Sequence, residues 1–151
     1  MSTAQMPTAA KLVAAFAFAG VGYATAQAFQ PAVPEGMHAP WLREMSAIIG
    51  LIVGWFVMGR SVGGGMYLAA MRGIYTATLL LFWALVVFSG REMVLRSLDR
   101  RFDTVMEAVT GTIGIAYWFV QLSLFPAFWL TLLGGGILAG MVAEFANRHW
   151  R

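Results

Sequence analysis

The sequence predicts an all-α integral membrane protein: four transmembrane helices, plus an amphipathic interfacial helix between the third and the fourth, in a single membrane domain over residues 1–151. Three observations lead there. Hydrophobic residues make up 60% of the chain and charged residues 11%, against roughly 45–50% and about 25% in soluble domains. A water-soluble fold of this size buries only about two-thirds of its surface, so the apolar excess would face water. The apolar residues also gather into runs close to the ~20 that a helix needs to cross a bilayer.

The first span covers about 10–29 and is ended by Pro31 and Pro34, since proline cannot continue a helix and biases its predecessor toward extended backbone. A short polar loop with Glu35, Gly36 and His38 follows. The second span covers about 41–58, with Arg43 and Glu44 in its first turn and Gly59-Arg60 at its close. Ser61 to Gly65, ending in three glycines, leaves room only for a tight turn, so the third span, about 66–88, returns antiparallel to the second. Only Lys11 precedes the first apolar run, which Gly20, Gly22 and Gln27 interrupt. A cleaved signal peptide is therefore not expected, although Ala24-Thr25-Ala26 has the small-residue form of a cleavage site.

Residues of about 91–123 form the interfacial helix. Glu92, Arg96, Asp99, Arg100, Asp103 and Glu107 share one stripe, and Met93, Leu98, Phe102, Val105, Met106 and Val109 the other. Glu92 with Arg96, and Arg96 with Asp99, are spaced to pair, each pair contributing about 0.2–0.5 kcal/mol. Such a helix suits the headgroup zone. Its second half, Thr110 to Phe125, is far more apolar and could cross the bilayer, re-enter it or continue along the interface, so five spans is the alternative. Pro126 ends it, and the last span covers about 127–146, with Trp129 and Trp150 at its two edges as in an aromatic belt. With four spans, Lys11, Arg60, Arg72, Arg148 and Arg151 share one side, and Arg43, Arg91, Arg96, Arg100 and Arg101 the other, so the positive-inside rule gives no orientation.

The composition excludes several chemistries. With no cysteine there is no disulfide, thiolate metal site or thiol redox step. His38 and His149 have no partner at ligand spacing, and the ten methionines show no short repeat suited to soft metals, so neither metal nor cofactor is expected. Gly63 to Gly65 lacks the lysine of a phosphate loop, and no serine is flanked as a nucleophile elbow. A net charge of +3 without a basic stripe argues against nucleic acid. The expected partner is the bilayer itself, with Arg91, Arg96, Arg100 and Arg101 contacting anionic phospholipid headgroups or another anion. The sequence points to no enzyme.

Small residues recur every fourth position at Gly50 and Gly54, at Gly136, Gly140 and the parallel Ala143, and at Gly20 and Ala24. In lipid, close backbone approach over such residues supplies packing energy, either inside the bundle or against another subunit of a larger membrane complex. Arg72 and Glu144 lie about one turn inside their spans, where snorkelling satisfies them; Arg72 could also meet an anion or Glu44.

Several short segments together suggest a family. Met6 to Leu12, Pro34-Glu35-Gly36, Ile49-Gly50 with Gly54-Trp55 and Met58-Gly59, Phe82-Trp83, Glu92-Met93, Met106-Glu107-Ala108 and Gly135-Gly136 with Ala143-Glu144 resemble the TrgA-like membrane proteins of alphaproteobacteria, named for an association with tellurite resistance. The resemblance extends over nearly the whole chain. It implies a multi-pass protein of the bacterial inner membrane, cytoplasmic or intracytoplasmic, linked to oxyanion stress, and carries no active site with it. Two functions follow as expectations: a non-enzymatic protein that modulates oxyanion tolerance, or an accessory subunit at the edge of a respiratory or photosynthetic complex.

Overall fold

The computed structural model describes residues 9–32, 41–98, 104–122 and 124–150, and among them the chain is helical with no strand. Five long helices organise it: α1 Ala9–Phe29, α2 Leu42–Ser61, α3 Met66–Leu98, α4 Val105–Leu122 and α5 Pro126–His149. Four of these, α1, α2, α3 and α5, are long and apolar enough to cross a membrane. This is a multi-pass membrane protein.

Helix α1 stops in a single tight turn, Gln30–Ala32, that contains Pro31. Pro34 and His38 lie outside the described residues. Helix α5 starts with Pro126 in its first turn, where the missing N–H is not needed.

The helices run up and down. Gly22 faces the backbone of Ser46, Gly50 that of Phe18, and Gly54 that of Ala14, so α1 and α2 are antiparallel. Gly73 lies against Gly136, and Ala69 against Gly140, which makes α3 and α5 antiparallel as well. Val21 meets Gly135 and Phe29 meets Phe128 (rings 5.9 Å apart, edge to face), so α5 also opposes α1. One core, including Phe18, Met58, Leu132 and Phe88, runs between the four spans.

A widened turn over Gly54–Met58, in which the Gly59 amide bonds the Gly54 carbonyl, interrupts α2. A turn of i→i+5 type holds one residue more than a normal helical turn. Gly59 therefore falls below Gly54 on the face toward α1, where it meets Lys11, and Met58 becomes fully buried.

The third helix is longer than the sequence suggests. It has 33 residues, about 50 Å at 1.5 Å per residue, and runs through Ser89 and Gly90 without a break. The expected interfacial helix of about 91–123 is therefore not one helix. Arg91 to Leu98 continue α3 beyond the bundle, and α4 is separate. Residues 99–103 lie outside the described ones. Because α3 and α5 are antiparallel, α4 leaves and returns at the same end of the bundle. It does not cross, and the five-span alternative falls. Helix α4 packs on the rest mainly through α3, burying Ala108 while Val105, Met106, Ile113 and Tyr117 stay exposed.

Glycine substitution separates packed from open positions. A Cβ at Gly73 would collide with the Gly136 carbonyl, whereas one at Gly20 meets nothing within 4 Å. Gly73→Ala is expected to lose about 1–3 kcal/mol in detergent unfolding, with Gly20→Ala unchanged or slightly stabilised; equal effects would contradict the packing. Since the chain has no cysteine, single Gln27→Cys and Arg60→Cys variants are expected to react with an impermeant maleimide from opposite sides of sealed vesicles. Arg148→Cys should react from the side of Arg60→Cys.

Candidate functional site

The small residues divide into two groups. Gly50 and Gly54 sit against α1, with a Cβ at Gly54 falling 2.7 Å from the Ala14 carbonyl oxygen. Gly136 and Gly140 sit against α3, and Ala143 is fully buried beside them. Gly20 and Ala24 do not join this packing, because both are exposed. The contact face of α1 passes instead through Ala14, Phe18, Gly22 and Phe29; Gly20 is two residues out of phase with Gly22, over half a turn around a 3.6-residue helix.

Of the four arginines expected at the interface, Arg91 is exposed on α3, its guanidinium carbon 3.7 Å above the Trp41 ring. Trp41 in turn lies against Phe88, ring centroids 5.8 Å apart. The side chain of Arg96, and Arg100 and Arg101 entirely, lie outside the described residues, as do Asp99 and Asp103. At the same end Arg43 donates to Gln27 at 2.9 Å and sits over the Tyr23 ring.

The polar centre of the bundle lies at the opposite end, where the sequence predicts only snorkelling side chains. Glu144 does not snorkel: it is 2% exposed. Its Oε2 accepts the Gly63 amide at 2.7 Å and its Oε1 the Gly65 amide at 3.3 Å. Arg148, one turn on, approaches Oε1 at 3.4 Å. Gly63 and Gly65 have φ of +108° and +98°, a region that side-chain-bearing residues rarely enter. The glycines let two amides of a four-residue turn converge on one carboxylate, in the manner of a backbone anion nest. Burying a lone carboxylate in hydrocarbon costs at least about 2.5–3.5 kcal/mol; here two N–H donors and a guanidinium offset that penalty. Arg72 completes the arrangement by donating to the Ser61 carbonyl, at the start of the same turn. Glu44, its other candidate partner, is at the far end.

Gly63, Gly65, Glu144, Asn147 and Arg148 line an open polar pocket of about 260 Å³. Its carboxylate is engaged by the chain's own amides, so the arrangement acts as a clamp joining the α2–α3 turn to α5. Among the described residues no three His, Asp or Glu side chains are grouped to hold a metal ion; His149 instead stacks on Phe145 at 4.1 Å. A sequence signal for the clamp existed: three consecutive glycines at the end of the bundle that also receives the single acid of the last span.

Glu144→Ala is expected to leave the Gly63 and Gly65 amides without their acceptor, losing about 1.5–3 kcal/mol for each charged hydrogen bond and speeding their hydrogen exchange. Glu144→Gln keeps one acceptor oxygen and should fall between. Unchanged exchange at Gly63 in the alanine variant would refute the clamp.

No protein-family model, no curated protein and no solved structure matches this chain.

Proposed function

We propose that the chain is a non-enzymatic inner-membrane protein of the TrgA-like type, contributing to tolerance of tellurite and related oxyanions through what it assembles with in the bilayer. The observation that carries this reading is the use made of the polar groups inside the bundle. The Thr25 hydroxyl donates to the Val21 carbonyl and that of Thr76 to the Arg72 carbonyl, each within its own helix, and Glu144 is held by the α2–α3 turn. These three groups serve the fold; the buried Ser89 hydroxyl has no hydrogen-bond partner among the described residues. The exposed Arg91, with Arg96, Arg100 and Arg101 following in sequence, supplies positive charge for anionic headgroups at one end. Deleting the protein from its host is expected to lower the tellurite concentration that stops growth, with restoration by a plasmid copy. A deletion strain as tolerant as its parent would end this proposal.

A second reading, an accessory subunit at the edge of a larger respiratory or photosynthetic complex, is favoured by α4. It stands outside the four-span core, held mainly by α3, and presents Val105, Met106, Ile113 and Tyr117 outward. Solubilisation in mild detergent with a tag on this chain should then recover stoichiometric partners. Recovery of the chain alone would count against it.

A further inference from the structure

The four spans do not close evenly. Helices α1 and α2, α1 and α5, and α3 and α5 pack extensively, whereas α2 and α3 meet much less. Toward the end where α1 finishes, this leaves a cavity of about 50 Å³, reached by all four spans and lined by Phe29, Leu42, Ala84, Phe88 and Leu132 among others. By this measure one water needs roughly 10–15 Å³, so the space is several waters large. Its walls are almost wholly apolar, and apolar cavities of this kind stay dry and take apolar ligands. The cavity is half open, and Leu81 and Leu85 on its α3 side are only partly buried, so it communicates sideways with the hydrocarbon rather than with water. From Leu80 to Phe88 it extends about 12 Å along α3.

Charge stands beyond one end of the cavity. Phe88 forms the end wall, Trp41 lies on Phe88, and the Arg91 guanidinium lies on Trp41. Trp41 directly precedes the first turn of α2, at the depth where tryptophans mark the headgroup boundary. A guanidinium placed over an aromatic ring remains charged and carries five N–H donors in a planar fork, a geometry that suits a phosphate. We propose that this slot is a phospholipid site: one acyl chain enters between α2 and α3, and the anionic phosphate rests on Arg91. An apolar slot alone suits any hydrocarbon. An arginine at its headgroup end selects an anionic amphiphile.

The test uses the full-length protein reconstituted in phosphatidylcholine vesicles, with trace phosphatidylglycerol or phosphatidylcholine spin-labelled near the end of one chain. Electron spin resonance separates motionally restricted from free lipid. The wild type is expected to restrict phosphatidylglycerol about five-fold more strongly than phosphatidylcholine, the ratio matching ~1 kcal/mol for one arginine near the surface. Arg91→Gln should bring that ratio close to one, and Arg91→Lys should retain most of it. Leu85→Trp, which fills the opening, should reduce the restricted phosphatidylglycerol toward the level of phosphatidylcholine at the perimeter. Equal restriction of the two lipids by the wild type, or an unchanged preference in Arg91→Gln, overturns the proposal. Both readings are independent of whether Leu85→Trp folds. Co-purification of a neutral isoprenoid instead of phospholipid, seen by native mass spectrometry, would likewise overturn it.

Discussion

Backbone-to-backbone contact between helices is the constraint on which the bundle rests. Lipid tails are as apolar as leucine, so the hydrophobic effect that drives soluble helices together is missing and contact itself must supply the energy. The bundle meets this with two ladders of small residues. Gly22, Gly50 and Gly54 bring α1 and α2 together, and Gly73, Gly136 and Gly140 do the same for α3 and α5. Helix α5 then opposes α1 through Gly135, joining the two pairs into one body. The pairing of α2 with α3, adjacent in sequence, is much looser than these, and the open side of the bundle lies there.

The general architecture could be read from composition and apolar run lengths, because both report directly on the solvent. Pro31, Pro126 and the glycine turn marked helix boundaries correctly, each for a local reason. The far end of α3 could not be read this way. Ser89-Gly90 looks like a stop, but glycine is well tolerated in membrane helices, and the helix continues to Leu98. Phase was also lost at Gly20 and Ala24. A four-residue spacing identifies a stripe but not which stripe on α1 meets a neighbour, and Val21, Gly22 and Phe29 occupy that role. The widened turn in α2 has no sequence signature apart from two glycines five residues apart, Gly54 and Gly59. Glu144 was legible only as a charge near a helix end. Apart from Arg148, one turn on, its partners lie some 80 positions earlier and are backbone amides, which no side-chain pattern reveals.

The two ends of the bundle differ in character. Among the described residues one end holds Lys11, Arg60, Arg72 and Arg148 and a single acid, Glu144, which is engaged by the turn amides and Arg148. The other mixes Arg43 and Arg91 with Glu44, Glu92 and Glu107 and adds α4. At the first end Arg72 and Arg148 are tied to the fold through Ser61 and Glu144, while Arg60 lies over the Phe56 ring; at the other, Arg91 is displayed on an aromatic platform.

The clamp on the glycine turn also bears on how the molecule is made. Gly63 and Gly65 are synthesised well before Glu144, so the first three spans leave the ribosome with two turn amides still lacking their acceptor. Only arrival of the final helix supplies it. A chain that stops before that point leaves the two amides to solvent and the α2–α3 hairpin without its tie to the rest of the bundle.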